Sequence, residues 1–188
     1  MTSKRDKVIH PVAFSMHMQT RSWILVGMMG AGKSSVGREL ARISERTFAD
    51  TDQLLRKRLG RPGGTSFDTY GVATFRDHES SILRSLEPGP FVVATGGGIV
   101  VREENWQELH RLGTTIFLRV SVEQLIERLT VSRKRRPLLE VENWQDRLRD
   151  LYDQRMPLYE KAMVTFDVSI DNSAIVAEHL LSRLLEVA

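Results

Sequence analysis

Gly27, Gly32, Lys33 and Ser34 stand in the spacing G-x-x-x-x-G-K-S within the stretch Gly27-Met28-Met29-Gly30-Ala31-Gly32-Lys33-Ser34-Ser35. The chemistry open to this pattern is the binding of a polyphosphate. Glycines let the backbone turn sharply and bring its N–H groups close to phosphate oxygens. Lys33 adds a point charge for the terminal phosphates, and Ser34 adds a hydroxyl for Mg2+. We assign Gly30, Ala31, Gly32, Lys33, Ser34 and Ser35 to the phosphates of a nucleotide.

Further stretches carry candidate chemistry. Asp50-Thr51-Asp52 sets two carboxylates two residues apart. At a strand end they can project to one side and divide two tasks, holding a metal and deprotonating an acceptor hydroxyl. The plainer reading of Asp52 is a cap for the following helix, which does not exclude catalysis. Arg76 and Glu79, three apart on a helix, can pair, and a guanidinium held in this way can grip a carboxylate. Gly96-Gly97-Gly98 suits close approach of backbone to a ligand better than it suits packing. Arg136, ahead of Pro137, lies in a charged loop long enough to be a lid, and lids over phosphates carry arginines. Arg155 sits just before Pro157, where a helix end alone could account for it.

The elements that must position these residues can be read from periodicity. Positions 23–26 are apolar and partly β-branched, as a buried strand should be. Val36, Leu40 and Ile43 recur at helical spacing after the glycine loop. Further strands are expected at 47–50, 91–95, 114–120 and 166–170. Helices are expected up to about 59, within 66–86, and over 103–112, 122–129, 143–156 (stopping before Pro157) and 174–185. The stretch 60–64, with three glycines and a proline, reads as a breaker. Strand and helix alternate, which predicts an α/β fold with a parallel sheet covered by helices on both faces. In such sheets ligands bind at the carboxyl ends of the strands, where the glycine loop, Asp50/Asp52 and Gly96–Gly98 all lie.

With 188 residues, 41% hydrophobic and 27% charged, the chain reads as one globular domain over 21–188. Residues 1–20 lack a clear period or a continuous apolar core and are expected to be a flexible extension rather than a secretory signal. No run is long enough to span a bilayer, and there is no cysteine for disulfides or thiolate metal sites. The net charge of +3 fits anionic small substrates, and the basic cluster Arg133-Lys134-Arg135-Arg136 has no interleaved aromatics of the kind RNA recognition uses.

Taken in order, the glycine loop, Asp50-Thr51-Asp52, Phe75-Arg76 with Glu79, Gly96-Gly97-Gly98, Arg136-Pro137-Leu138-Leu139 and Arg155 before Pro157-Leu158-Tyr159 resemble the shikimate kinase family. The resemblance covers nearly everything from Arg21 onward. It implies a single-domain P-loop kinase with a five-stranded parallel sheet in order 2-3-1-4-5 and a lid at about 130–141. It implies ATP-dependent phosphorylation of the shikimate 3-hydroxyl in chorismate and aromatic amino-acid biosynthesis. Carried onto this chain, Lys33 and Ser34 serve ATP and Mg2+, with Asp50 near the metal. Asp52 holds the shikimate hydroxyls and acts as base, Arg76, Gly97 and Arg155 bind shikimate, and Arg136 reaches the phosphates. The expected setting is a cytoplasmic monomer acting on small molecules, with neither nucleic acid nor membrane as partner.

Three features depart from the family pattern: Val72 stands where Glu is usual, Gly63-Gly64 is an unusual pair, and the stretch from Arg128 to Arg136 is about one residue longer. For the last reason Arg128 is left outside the expected site. A gluconate kinase would share the phosphate loop but would have less use for Arg76, Arg155 and the triple glycine together. A nucleotide-binding module without chemistry should lack Lys33, Asp52 or Arg136, and an RNA-binding protein would leave the loop unexplained.

Overall fold

The apolar run after Arg21 forms β1 (Ser22–Val26), and all five residues are buried. Successive strand residues point to opposite faces, so burial of every one means that both faces of the sheet are covered. The computed structural model describes residues 21–60, 63–169 and 172–186. The expected extension at 1–20 lies outside them. The other strands are β2 (Thr47–Asp50), β3 (Phe91–Ala94), β4 (Gly113–Arg119) and β5 (Val164–Asp167). They pair in parallel in the order β2-β3-β1-β4-β5, as expected from the sequence. The outer strands β2 and β5 are only partly buried, as sheet edges should be.

Among the described residues, seven helices connect and cover the strands: α1 (Lys33–Ile43), α2 (Thr51–Leu59), α3 (Gly63–Arg84), α4 (Glu103–Leu112), α5 (Val122–Thr130), α6 (Trp144–Tyr159) and α7 (Ser173–Glu186), with short 3-10 turns at Ile99–Val101 and Pro137–Leu139. Helix α1 buries Val36, Leu40 and Ala41, and it packs against α7. The core joins these to Ile24, Leu25, Phe117, Leu118, Leu109 and Leu180.

Some boundaries differ from the sequence reading. Helix α6 runs through Pro157 to Tyr159. A proline in the last turn removes one hydrogen bond, and bonds from Arg155 and Tyr159 to the Gly97 carbonyl hold that turn in place. The last strand is Val164–Asp167, earlier than 166–170; Ile170 lies outside the described residues. Its register on β4, from Ile116–Val164 to Arg119–Asp167, settles the placement. Within the expected breaker, Gly60 (φ 64°) does end α2, whereas Gly63 and Gly64 already belong to α3, whose helical geometry is interrupted instead at Gly71 (φ 76°, ψ 167°).

The topology creates the site. From β1 the chain crosses to β2, and from β3 it crosses over β1 to β4, so the connections leave β1 and β3 in opposite directions. A crevice opens at the carboxyl ends of such neighbours. Leu25, Ala94 and Asp50 are level across β1, β3 and β2. The segments that leave these three strands therefore meet at one place.

Candidate active site

The loop after β1 is built on left-handed glycines: Gly27, Gly30 and Gly32 have φ of 146°, 85° and 90°. A side chain at Gly27 would also press its Cβ to 2.8 Å from the Leu118 carbonyl oxygen. Gly32 is the N-cap of α1 and supplies no side-chain cap. The first N–H groups of that helix thus remain for an anion. Lys33 folds back over the loop, and its ammonium donates to the Gly27 and Met28 carbonyls at 2.8 Å each. Burial pushes its pKa down to about 7, against the partial support of Asp52. A buried lysine with no carboxylate at hydrogen-bond distance is a group waiting for negative charge.

The two aspartates take different roles. Asp50, not Asp52, is the cap: its carboxylate accepts from the Gln53 N–H at 3.1 Å and from the Ser34 hydroxyl at 2.7 Å. Asp52 makes no hydrogen bond or ion pair among the described residues and faces two cavities, one beside the glycines after β3 and one over the phosphate loop. The capping alternative for Asp52 is therefore removed. The Ser34 hydroxyl and Asp50 carboxylate form a pair of hard oxygen donors beside the phosphate loop. No group of three or more His, Cys, Asp or Glu side chains suited to a metal occurs among the described residues. That donor set fits Mg2+ held by one or two protein oxygens and completed by phosphates and water.

Beyond β3, Gly96-Gly97-Gly98 forms a shelf. The Asp52 and Glu79 carboxylates both lie 2.8 Å from where a Gly96 Cβ would sit. The Arg76 guanidinium occupies the space of a Gly98 side chain, 2.1 Å from the Cβ position. Arg76 is buried and paired with buried Glu79. Burial raises the Glu79 pKa, partly offset by Arg76. Arg155, also buried, donates to the Gly97 carbonyl at 3.3 Å and forms no ion pair among the described residues.

These residues line a cavity of about 130 Å3 together with Met29, Phe75, Lys134 and Arg136. That is well below the ~300–1,000 Å3 of drug-sized pockets, and it suits one small ring. The cavity over the phosphate loop shares Met29, Asp52, Gly97, Lys134 and Arg136 with the first. The two are therefore neighbours joined at those five residues. Arg136 is half-buried, its Nε has no hydrogen-bond partner, and desolvation holds its pKa below the ordinary arginine value.

Every expected site residue is thus at this crevice, and others join them. Tyr159 is fully buried, stacks on Phe117 and donates its hydroxyl to the Gly97 carbonyl; burial pushes its pKa up to about 12. Thr51 accepts the Gly96 N–H at 3.1 Å. Arg128, left out of the sequence reading, reaches the Gly30 carbonyl at 3.5 Å and lines the phosphate cavity. Lys134 sits at the junction of both cavities. Tyr159 had a signal, its place one helical turn after an inward Arg155; Thr51 and Arg128 depend on tertiary placement.

A phosphate loop on a sheet of order 2-3-1-4-5, beside a small cationic cavity with a free carboxylate, defines a small-molecule kinase of the P-loop class. Comparison with known proteins narrows the class. The shikimate kinase family matches residues 29–185, and the chain belongs to that family. It is 40% identical to the shikimate kinase of Chromobacterium violaceum over 174 residues, covering 92% of this chain and 94% of that one. With the shikimate kinase of Chromohalobacter salexigens it shares 48% over 137 residues, 72% of this chain and 76% of the other. The structure of shikimate kinase from Acinetobacter baumannii in complex with shikimate superposes with a TM-score of 0.85 at 34% identity, covering 92% of this chain and 97% of that one. A gluconokinase from Sinorhizobium meliloti 1021 shares the fold, with a TM-score of 0.60 at 20% identity and coverage of 90% and 94%.

Proposed function

We propose that this protein transfers the γ-phosphoryl group of ATP to the 3-hydroxyl of shikimate, giving shikimate 3-phosphate and ADP for aromatic amino-acid biosynthesis. One observation carries the reading: buried Arg155, with no ion pair of its own among the described residues, and Glu79-paired Arg76 flank a glycine shelf beside the free carboxylate of Asp52. Two guanidiniums in one small cavity call for an anion, and a ring carboxylate supplies it in the planar geometry arginine matches. The relative from Acinetobacter baumannii, whose structure is a complex with shikimate, supports the same acceptor.

In this reading the carboxylate lies between Arg76 and Arg155, and the Gly97 backbone supports the ring. The acceptor hydroxyl faces Asp52, which takes its proton as the oxygen–phosphorus bond forms and the bond to ADP breaks. Lys33 and the loop N–H groups hold the phosphates, and Arg136 meets charge that grows during transfer. Ser34 and Asp50 would hold Mg2+, which when bound supplies charge neutralisation at the phosphates. The apolar wall of Val36, Val131, Val168 and Val176 beside Arg128 and the loop offers a place for the nucleotide base. Action as a cytoplasmic monomer belongs to the same reading. No helix among the described residues is long and apolar enough to cross a membrane.

Coupled measurement of ADP release tests this. Release should depend on shikimate and be near background with gluconate or with no acceptor. Equal release with gluconate, or release independent of acceptor, would overturn the assignment.

A further inference from the structure

The lid contributes a second inward cation besides Arg136. Arg135 lines the acceptor cavity but not the phosphate cavity, and its guanidinium pairs with Glu140 at 2.6 Å and 2.7 Å. Lys134 and Arg136 each line both the acceptor cavity and the phosphate cavity. Of the five residues common to the two cavities, only Asp52, Lys134 and Arg136 carry charge. The phosphoryl group must pass between these cavities.

The Lys134 ammonium has no hydrogen-bond or ion-pair partner among the described residues. Its backbone N–H is tied to the Ser132 hydroxyl at 3.3 Å, so the stem is directed while the head is free. Lys134 is exposed and keeps water; partial burial of its head group and the charge of Arg136 still hold its pKa below the ordinary lysine value. The charged groups that face it are Arg136, Asp52, Arg56, Asp50 and Lys33. Asp50 is already engaged by Ser34 and Gln53. Four cations therefore surround one free carboxylate at the passage, a surplus of positive charge that an anion must relieve.

We propose that Lys134 is a catalytic residue of the lid: its ammonium contacts the transferring phosphoryl group together with Arg136 and meets the charge that develops on it. This rests on the phosphoryl-transfer reading above. What Lys134 adds at the passage is a second positive charge on a long stem, which an arginine at the same position can also carry.

The test compares Lys134→Met and Lys134→Arg with the wild type, measuring kcat, both KM values and the affinity for ADP with aluminium fluoride in the presence of shikimate. Removing one donor to a developing oxyanion typically costs about 10²–10³-fold, and because Arg136 remains we expect about a 10–100-fold loss of kcat in Lys134→Met. Binding of the fluoride complex should weaken by a similar factor, binding of ADP alone should hold within about threefold, and Lys134→Arg should recover most of the kcat. Unchanged kcat in Lys134→Met, a loss confined to KM for ATP, or failure of Lys134→Arg to recover kcat would each overturn the proposal. Shikimate-dependent ADP release by the wild type, read in the same series, keeps the parent assignment standing whichever way Lys134 behaves.

Discussion

In the proposed reaction, Asp52 and Arg155 are the two residues on which the chemistry turns. Asp52→Asn keeps size and hydrogen bonding but removes the proton acceptor. Since general base catalysis contributes about 10²–10⁴-fold, we expect a kcat loss in that range with ATP affinity nearly unchanged, read by steady-state kinetics and nucleotide titration. A loss below about tenfold would leave the carboxylate a positioning role only. Arg155 is tested by a cycle of two ligands and two proteins, shikimate and its carboxamide against wild type and Arg155→Ala. Leaving one member of a buried charged pair alone typically costs about 2–5 kcal/mol. The carboxamide should therefore bind the wild type poorly and lose much less on moving to Arg155→Ala; losses that simply add would mean no contact between Arg155 and the carboxylate. Residue identities made most of this site legible, because Lys33, Asp52, Arg76 and Arg136 each have few alternative uses in their contexts. The division of labour between Asp50 and Asp52 came from the family resemblance and was not legible in residue types alone. Two carboxylates on either side of one threonine could both cap α2, and the bonds that Asp50 accepts from the Gln53 N–H and the Ser34 hydroxyl separate them.

At the scale of elements, the buried strand, loop and helix at 22–43 and the crossing order of the sheet follow from hydrophobic pattern and family resemblance. The ends of elements follow less well. Pro157 argues for a stop, yet α6 continues because its last turn is held by long-range bonds that no local pattern announces: Arg155 and Tyr159 both donate to the Gly97 carbonyl. Tyr159→Phe should test that anchor. The lost bond is worth about 0.5–1.5 kcal/mol, which should appear in urea unfolding, and the loosened shelf should raise KM for shikimate more than it lowers kcat. An unchanged unfolding midpoint would mean that packing on Phe117 alone fixes the turn. The late strand shifts for a related reason. Edge strand β5 is only half-buried, so its apolar residues mark its limits weakly, and pairing with β4 decides them.

At the scale of the whole molecule, a stable fold carries a site that works against stability. Buried Lys33 has a pKa of about 7, far below its ordinary value of 10.5. Below pH 7 it is charged in both folded and unfolded chains, and the folded state bears the full cost of burying that charge. Between about 7 and 10.5 the unfolded chain binds the extra proton, so stability rises with pH and the cost is relieved. Lys33→Met should therefore raise the thermal midpoint of the nucleotide-free protein most at pH 6, with the gain shrinking toward pH 10, while turnover is abolished. A gain that does not vary with pH would remove the ionisation from the explanation. Nucleotide phosphates should pull the lysine pKa back up, so ADP binding near pH 8 should take up a proton, measurable by calorimetry in buffers of different ionisation enthalpy. The central claim concerns which bond the assembled site makes. The most direct test is phosphorus and proton NMR of the product formed from ATP and shikimate by the intact enzyme. One new phosphate monoester is expected, coupled to the proton on carbon 3 and formed in equal amount with ADP. ADP formed without that ester, or an ester on another hydroxyl, would contradict the claim.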